Sequence, residues 1–308
     1  MAPGRVTVVV VTWNAADVVA DCLASVPHDV HMVVVDNASS DGTPDVVRAR
    51  FPGAELVTHD RNLGFAAGVN AGLARAATEY VLLLNPDARL EPGAVEALVA
   101  FCDERPRAGL ASALVLDPAG RVEPFTGGRE PSLVTVGVHQ LGLARPLARW
   151  SMYSRPVHDQ AERRDWVGGT CALVRRAAVD DVGPLDESYF LYAEDIEWCA
   201  RMRAGGWEVW VVPTARVRHA RSTIVDRAGP WVDEHRLGSL DRYYAERHGR
   251  PSVVAFRLVR LAGIGARALA FDVAGGVSRR SDLRDRGRRR GRDACLAWRL
   301  LLGQPVQP

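Results

Sequence analysis

A single carboxylate, that of Asp87, follows a short and strongly apolar run of the chain. The run, residues 80–84, contains only apolar or aromatic residues, which fits a strand covered on both faces of a parallel sheet. Pro86 has no backbone N–H to donate, so the strand ends there and Asp87 falls at or just beyond its C-terminal end. Ligands bind at that edge of open α/β sheets. The alternative is a simple exit turn, because Asn-Pro-Asp also favours turns.

Polar residues also follow two earlier predicted strands. Thr12 and Asn14 come at the end of the first apolar run of the chain, and Asp36 comes directly after the second. Because the C-terminal ends of parallel strands meet at one edge, we expect these side chains to converge with Asn85 and Asp87 on one crevice. A turn with a hydrogen bond from the Asp36 side chain is the structural alternative at that position.

The crevice would have to hold phosphate groups without a glycine-rich loop. The chain has no G-x-G-x-x-G after its first strand and no G-x-x-x-x-G-K-[ST] at any position, which argues against a dinucleotide cofactor or a P-loop. Mg²⁺ and Mn²⁺ bind through one or two carboxylates together with substrate phosphates. The sequence therefore predicts a divalent cation held near Asp87.

A second pair of carboxylates, Glu194 and Asp195, opens a predicted helix. Asp195 shares one helix face with apolar residues at positions i+3, i+4 and i+7, so it is expected to point inward. Glu194 and Glu197 are expected to align with Arg201. A carboxylate at the edge of a core has a raised pKa, which suits a general base. The alternative is that acidic residues in the first turn only complement the helix dipole.

The elements that would position these residues alternate regularly. Short apolar runs and helical stretches alternate four times in about the first 90 residues, which predicts a parallel sheet built from βα units. Strands are expected at 6–12, 31–35, 56–57, 80–84, 109–116, 168–174 and 208–212. Helices are expected at 15–26, from Pro44 with Ser40 or Asp41 as its cap, after 61–70, at 93–102, 233–248 and 253–275, and in two further segments. One of these begins at 175–176 and is closed by residues 183–187, and the other follows a loop within 190–201 and ends at 205–206.

The region 117–165 is rich in Pro, Gly and Arg and has weak periodicity, so we expect a flexible insert that faces a partner.

The composition is that of a soluble globular protein, with 47% apolar and 25% charged residues and a net charge of +2. The five cysteines are scattered without metal-finger spacing, which favours reduced thiols. The N-terminus is expected to form a strand, not a signal peptide, and no apolar run reaches transmembrane length without arginines.

Five ordered motifs carry a resemblance to a known family. The chain resembles family 2 glycosyltransferases with a GT-A fold, and within them it is most similar to bacterial rhamnosyltransferases, over about residues 6–225. The motifs are Thr12-Trp13-Asn14, Val35-Asp36-Asn37-Ala38-Ser39-Ser40-Asp41-Gly42-Thr43, Asn62-Leu63-Gly64, Asn85-Pro86-Asp87 and Glu194-Asp195-Ile196-Glu197 followed by His219. The family's DxD metal motif here has an amide, Asn85, in place of its first carboxylate.

The resemblance implies a role for each of these positions. On the donor side it implies Asp87 as a ligand of Mg²⁺ or Mn²⁺, with His219 reaching the metal or the diphosphate, although a lone histidine is as often structural. The same resemblance makes Asn85 a contact to the ribose or sugar. It places Thr12, Asn14 and Asp36 in the nucleoside pocket and Arg61, Asn62 and Gly64 beside the donor. It implies Asp195 as the base, and Trp166, Gly168, Gly169 and Glu194 on the acceptor side.

The C-terminal part suggests a surface for lipid. Eight arginines and two aspartates lie between Arg279 and Arg292, after an apolar segment in which Arg257, Arg260 and Arg267 share one helical sector. This pattern suits a helix on an anionic membrane surface. Nucleic-acid binding is not expected, because no aromatic residues are interleaved with the arginines. A solvated tail is the alternative.

These predictions combine into one hypothesis. Residues 1–225 form a GT-A domain with a donor half at about 1–117 and an acceptor half at about 118–225, and residues 226–308 form a helical extension. The resemblance implies inverting transfer, best guessed from dTDP-β-L-rhamnose to a polyprenyl-diphosphate-linked saccharide, by a cytoplasmic enzyme peripheral on the inner membrane face. The alternatives are transfer of another sugar to a soluble acceptor, a silent sugar-nucleotide-binding scaffold and, remotely, an NAD-type oxidoreductase. The oligomeric state is not predicted.

Overall fold

The structure is a computed structural model, and it contains two compact units. Unit 1 comprises Met1–Gly127 and Pro156–Ala228, and unit 2 comprises Gly128–Arg155 and Gly229–Pro308. Every candidate site residue named above belongs to unit 1. The arginine-rich stretch at 279–290 lies outside the described residues. Those are 4–124, 126–144, 146–153, 159–220, 230–278 and 291–299.

Unit 1 is built on a nine-stranded mixed sheet. The strands of the chain are β1 Val6–Thr12, β2 His31–Asp36, β3 Glu55–Thr58, β4 Tyr80–Leu84, β5 Ala88–Leu90, β6 Ala108–Leu116, β7 Gly127–Gly128, β8 Glu162–Arg163, β9 Trp166–Val167, β10 Cys171–Arg175 and β11 Glu208–His219. The order in the sheet is β3-β2-β1-β4-β10-β6-β11-β5, and β8 pairs with β11.

The strands that carry site residues point the same way. β1 runs parallel to β2 and β4, and β6 runs parallel to β11. β10 lies between β4 and β6 and is antiparallel to both, so β4 and β6 are themselves parallel. The C-terminal ends of β1, β2, β4, β6 and β11 therefore share one edge of the sheet. The predicted mixed and mainly parallel sheet is confirmed.

Helices cover the sheet and supply its core. The helices of unit 1 are α1 Val19–Ala24, α2 Thr43–Arg50, α3 Phe65–Arg75, α4 Ala94–Asp103, α6 Arg176–Val182 and α7 Glu194–Ala204. β1 and β4 are buried along their whole length, as expected for strands covered on both faces. α3 lies so close to β1 that a Cβ placed on Gly72 would collide with the side chain of Val9.

Two predicted helix starts need correction. α1 begins at Val19, later than the predicted residue 15, because the preceding residues form turns. α2 begins at Thr43 after Gly42, whose φ of 86° is left-handed, and among the described residues no side chain caps this helix. Asp41 instead accepts hydrogen bonds from the backbone N–H and the hydroxyl of Thr43, so it stabilises the turn before the helix.

β11 contains a register shift. Val212 pairs with Ala113 of β6, and Arg216 pairs with the next residue of β6, Leu114. Residues 213–215 are therefore extra on β11 and form a bulge in the strand. Beyond the bulge β11 pairs with β5 as well as with β6, and His219 lies opposite Ala88.

Unit 2 is helical. It contains α5 Leu133–Gln140, a 3₁₀ turn Ala148–Trp150, α8 Pro230–His248, α9 Arg250–Ser278 and a helix at 291–299. α9 packs against both α5 and α8. α5 lies within the segment predicted to be a flexible insert, so that prediction is wrong for these residues. The helix is stabilised at its start by a capping box, in which the side chains of Ser132 and Thr135 each bond to the other's backbone N–H.

Three arginines of α9, Arg257, Arg260 and Arg267, bond to groups of the protein. Arg260 is 0% exposed and pairs with the buried Asp241 at 2.8 Å, and Arg257 pairs with the same carboxylate at 2.7 Å. Arg267 donates to the carbonyl oxygen of His139 at 3.3 Å. The prediction that these three arginines form the lipid-facing sector of the helix is therefore wrong. No helix among the described residues is long and apolar enough to cross a membrane.

Candidate active site

Three titratable side chains meet where β4 and β11 end. His219 Nε2 lies 3.2 Å from Asp87 Oδ1, and His219 Nδ1 lies 3.4 Å from Glu123 Oε2. The side chains of His219, Asp87 and Glu123 are only 14, 9 and 6% exposed. The imidazole thus bridges two largely buried carboxylates, one that the sequence predicted and one that it did not.

The sheet explains why Asp87 and His219 are neighbours. β5 leaves the turn after β4 and pairs antiparallel with the end of β11, which brings His219 beside Ala88. The backbone N–H of Ala220 donates to the carbonyl oxygen of Asp87 at 2.9 Å, which closes the contact. Residues 87 and 219 are far apart in sequence, so this contact is a product of the topology. The predicted placement of Asp87 at the C-terminal sheet edge agrees with the structure.

The charges around His219 favour its protonated form. Burial of the imidazole lowers its pKa, but the hydrogen bonds and charges of Asp87 and Glu123 outweigh that effect and raise the pKa of His219 to about 9. Two carboxylates and one imidazolium carry a net negative charge. The cluster is therefore suited to a cation, not to an unaccompanied phosphate.

The donor atoms of this cluster fit a divalent metal ion. Glu123 Oε1 is buried and has no hydrogen-bond partner among the described residues, and such an orphaned acceptor is costly unless something pairs with it. Carboxylate oxygens suit Mg²⁺ and Mn²⁺. Within the described ranges no group of three or more His, Cys, Asp or Glu side chains is arranged so that it could hold a metal ion by itself. A cation held at Asp87 would share its coordination with substrate phosphates.

Asp36 organises the second part of the site, at the ends of β1 and β2. It is 1% exposed, and its Oδ1 accepts from the hydroxyls of Thr12 at 2.8 Å and Ser39 at 2.6 Å. Its Oδ2 accepts from the backbone N–H of Ser39 at 2.9 Å. Three of about four acceptor positions of the carboxylate are thus used internally, which leaves room for one more donor. The predicted Asx-type bond and a ligand contact are therefore compatible.

Asn14 is itself in a left-handed conformation, and it bonds to the loop that follows β2. Its φ is 51°, a region that asparagine tolerates better than most residues. Its side-chain oxygen accepts from the backbone N–H of Ser40 at 2.9 Å, and its own N–H donates to the Ser39 hydroxyl at 2.8 Å. The structure therefore brings Thr12, Asn14 and Asp36 together, as predicted for a nucleoside pocket.

The predicted donor loop is fixed to the rest of the site through Gly64. Asn62 Oδ1 accepts from the N–H of Gly64 at 2.9 Å, and the Gly64 carbonyl accepts from the Asn37 side chain at 2.9 Å. Gly64 has a φ of 91°, and a Cβ there would collide with the carbonyl oxygen of Phe190. The next residue, Phe65, donates its N–H to that same carbonyl at 2.8 Å. Arg61 is exposed at the start of this loop.

The residues before α7 are conformationally strained. Tyr192 and Ala193 have φ values of 66° and 65°, and neither is a residue type that commonly adopts this region. The strained pair sets the direction in which Glu194 and Asp195 enter the helix. Such strain is found where the surrounding structure fixes a functional geometry.

Glu194 and Asp195 differ in their environments. Glu194 is 5% exposed and its Oε2 has no hydrogen-bond partner among the described residues, while Arg201 pairs with Glu197 at 2.6 Å. Burial, and next the charge of Asp195, raise the pKa of Glu194 well above its usual range. Asp195 is partly exposed, and its removal from water raises its pKa to about 6. Asp195 thus remains reachable and is ionised at neutral pH, as a general base requires.

A short loop joins Asp195 to the end of β4. A Cβ placed on Gly168 would lie 3.7 Å from Asp195 Oδ2, and the carbonyl of Thr170 accepts from the N–H of Asn85 at 2.9 Å. Because three residues span at most roughly 10 Å, Asp195 and the end of β4, which Asp87 follows, lie close together. Gly169 lies against the ring of Phe65, where a Cβ would be 3.3 Å away. Trp166 is buried before this loop, so it supports the loop from within.

Glu123 is the site residue that sequence reasoning missed. It follows β6 after a turn in which Asp117 and Arg121 pair at 2.7 Å, and its N–H donates to Val115 at 2.9 Å. The sequence around Glu123 is irregular and contains Pro and Gly, so no local motif indicates that Glu123 belongs to a functional site. The available signal was its place after the C-terminal end of a central strand.

Comparison with solved structures places the fold. The chain is similar to the mannosyltransferase PcManGT from Pyrobaculum calidifontis in complex with GDP-Man and Mn²⁺, with a TM-score of 0.61 and 18% identity over 98% of this chain and 88% of that chain. It is also similar to S. aureus TarS 1–349 in complex with UDP, with a TM-score of 0.52 and 16% identity over 98% and 93% of the two chains. The predicted GT-A fold is confirmed.

Comparison with known sequences gives the family. The chain is 34% identical over 261 residues to N-acetylglucosaminyl-diphospho-decaprenol L-rhamnosyltransferase of Mycobacterium tuberculosis, covering 78% of this chain and 84% of the relative. It is 26% identical over 195 residues to rhamnosyltransferase WbbL of Escherichia coli, covering 61% and 70%. Residues 7–183, more than half of the chain, match the family described as "Glycosyl transferase family 2". The protein therefore belongs to glycosyl transferase family 2 and is a glycosyltransferase.

Proposed function

We propose that the protein transfers L-rhamnose from dTDP-β-L-rhamnose to a hydroxyl group of a saccharide linked to polyprenyl diphosphate. The observation that carries the proposal is that the partly exposed Asp195 and the end of β4, which Asp87 follows, both lie against the loop 168–170. The similarity to rhamnosyltransferases, one of which is named for a decaprenol-linked acceptor, supports the choice of sugar and acceptor.

The nucleoside of the donor is proposed to bind between the ends of β1 and β2. The free acceptor position of Asp36 suits a pyrimidine N3–H, while Thr12 and Ser39 hold the carboxylate in place. Asn14 orders the loop beside it through Ser40. The exposed guanidinium of Arg61 and the loop with Asn62 and Gly64 would lie along the donor, and Asn85 would contact its ribose or sugar.

Transfer is proposed to be a single displacement. Asp195 takes the proton of the acceptor hydroxyl, whose oxygen then attacks the anomeric carbon as the bond to the nucleoside diphosphate breaks. Because one displacement occurs and no covalent enzyme intermediate forms, the configuration inverts. The glycine backbone at 168–169 leaves space beside Asp195 for the acceptor, and the adjacent Glu194 is buried, which raises its pKa.

Asp87 and His219 are proposed to hold Mg²⁺ or Mn²⁺, with Glu123 positioning His219 through its contact at 3.4 Å. Such a cation, when bound, neutralises charge on the departing diphosphate. The buried and unpartnered Glu123 Oε1 supports a missing positive group in this cluster. A lipid-linked acceptor would in turn place the enzyme at the cytoplasmic face of a membrane, as a peripheral protein.

A transfer assay with defined substrates tests the proposal. The full chain is incubated with dTDP-β-L-rhamnose, Mn²⁺ or Mg²⁺, and N-acetylglucosaminyl-diphosphoryl polyprenol, and the lipid extract is analysed for an α-linked rhamnosyl product. We expect turnover that EDTA abolishes and added cation restores. Turnover with a different nucleotide-sugar would reject the donor, turnover with soluble acceptors alone would favour a natural-product transferase, and donor binding without any turnover would favour a silent scaffold.

A further inference from the structure

Exposed apolar side chains are segregated in this protein. Among the described residues, every large hydrophobic side chain that is exposed to solvent lies in unit 2. They are Leu133, Val134, Leu141, Leu143, Leu147, Trp150, Val254, Leu258, Leu269, Val273 and Trp298. Scattered exposed hydrophobic residues need no explanation, but a concentration of this kind marks a surface that binds something.

α9 carries an exposed apolar stripe along most of its length. Its exposed face, called here the apolar face of α9, consists of Val254, Leu258, Ala262, Gly265, Leu269 and Val273. These residues follow one another at intervals of three or four, so they form one stripe roughly 28 Å long. The four large side chains are 53, 49, 66 and 57% exposed.

The polar groups of α9 are on the opposite side. Arg260 is completely buried and pairs with Asp241, and the neighbouring inward positions include Phe256 and Ile264 at 0 and 2% exposure. Asp272 is the charged residue exposed near the apolar face. α9 therefore has its ion pairs inside and its hydrocarbon outside, which is the reverse of a helix that faces water alone.

Charged and aromatic residues indicate which kind of partner the apolar face of α9 fits. α9 is followed by a stretch with eight arginines and two aspartates between Arg279 and Arg292, which anionic lipids attract and a second copy of the same stretch repels. Trp150 and Trp298 are 49 and 51% exposed, and Arg149 lies 5.7 Å from the centre of the Trp150 ring. Exposed tryptophan next to arginine is typical of residues at a lipid headgroup layer.

We infer that the apolar face of α9 is the surface with which this enzyme contacts an anionic lipid bilayer. The inference rests on the proposed function only in one respect, because a lipid-linked acceptor is the reason for the enzyme to bind a membrane. The contact itself is a property of unit 2. It replaces the arginine sector suggested by the sequence with the opposite face of the same helix.

Vesicle flotation of the full chain tests the inference. Vesicles of phosphatidylcholine with phosphatidylglycerol are compared with vesicles of phosphatidylcholine alone, for the wild type and for Leu258→Glu with Leu269→Glu. We expect the wild type to bind the anionic vesicles and the double variant to lose about tenfold or more in partition coefficient, because two carboxylates then enter the apolar stripe. The matched control is Ala49→Glu with Ala74→Glu, which adds the same charge at exposed helical positions of unit 1.

The outcomes separate the alternatives. Equal partitioning of the wild type and the double variant, or equal loss in the control, overturns the inference. If the wild type does not bind vesicles and is a dimer that the double variant converts to a monomer by light scattering, the face joins two copies instead. Rhamnosyl transfer to a water-soluble acceptor analogue is measured in parallel. Vesicle binding without any transfer rejects the proposed function and leaves the lipid surface in place.

Discussion

At the scale of the residue, the pKa of Asp195 suits its proposed role as a general base at neutral pH. Its pKa is raised to about 6 by burial, and a base acts only when deprotonated. The active fraction therefore rises as the pH increases through about 6 and is lost below it. We expect kcat/KM to fall about tenfold per pH unit below this value, and Asp195→Asn to lower kcat about a thousandfold.

A pH–rate profile measured with saturating cation checks this prediction. Asp45→Asn is the control, because Asp45 lies on the exposed surface of α2 and pairs only with Arg48 among the described residues. Circular dichroism melting of each variant confirms that the fold is intact. Near-normal turnover of Asp195→Asn at any pH would remove Asp195 from the role of base.

The position of Glu123 leads to a prediction about the affinity of the site for Mn²⁺. Because Glu123 contacts the imidazole nitrogen opposite the one that faces Asp87, it is positioned to orient His219 toward a cation. We expect Glu123→Gln to weaken Mn²⁺ binding about tenfold or more in the presence of donor nucleotide. Electron paramagnetic resonance titration of free Mn²⁺ measures the affinity without turnover. An unchanged affinity would make Glu123 a structural partner only.

Individual residues also show where sequence reasoning stops. Asp36, Asp87 and Asp195 were predicted because their neighbours in sequence form recognisable motifs. Glu123 could not be predicted in this way, because only the pairing of distant strands brings it to His219. The burial of Glu194 was not predicted either, because it depends on what packs against the first turn of α7 and not on the spacing within the helix.

At the scale of the element, the loop from Asn62 to Phe65 connects the donor side to the segment before α7. Gly64 makes this connection at a φ of 91° and in contact with Phe190. We expect Gly64→Ala to lower the free energy of unfolding by about 2 kcal/mol or more, since it adds left-handed strain to a steric clash. Chemical denaturation of the full chain measures this change.

The matched control for this prediction is Gly53→Ala. No atom lies within 4 Å of a Cβ placed there, and its φ is outside the left-handed region. We expect the control to change the free energy of unfolding by less than about 1 kcal/mol. Equal effects of the two substitutions would mean that the contact of Gly64 with Phe190 does not constrain the loop.

Elements were predicted well where their pattern is local. The buried strands β1, β2, β4 and β6 were located within one or two residues, because uninterrupted apolar runs of strand length have few other interpretations. α5 was missed because it is only eight residues long and its start depends on the capping box at Ser132. The orientation of α9 was wrong because a helical wheel cannot tell that Asp241, on another helix, pairs with its arginines.

At the scale of the whole molecule, substrate binding and lipid contact are assigned to different units. We therefore expect donor and cation to stabilise unit 1. At a donor concentration of about 100 times the dissociation constant, binding adds about 2.7 kcal/mol to the stability of the state that binds. Thermal unfolding with dTDP-rhamnose and Mn²⁺ should show this as a higher melting temperature.

Other ligands serve as controls for the thermal measurement. UDP-glucose and GDP-mannose at the same concentration should give a smaller shift if the proposed donor is correct. The Asp87→Asn variant should lose most of the effect that Mn²⁺ adds to that of the nucleotide. A shift that is the same for all nucleotide-sugars would show recognition of the diphosphate without selection of the base or sugar.

The bulge at residues 213–215 also constrains how the length of this chain can vary. Val217 is buried and His219 faces the same side of β11, two residues further on. Side chains alternate along a strand, so gaining or losing one residue at 216–219, where β11 is paired with β6 and β5, turns His219 to the opposite face, away from Asp87. A bulge holds its extra residues outside the ladder, so a change of length at 213–215 leaves that pairing in register. Insertions and deletions compatible with activity should therefore be found within the bulge and be eliminated from the paired residues after it.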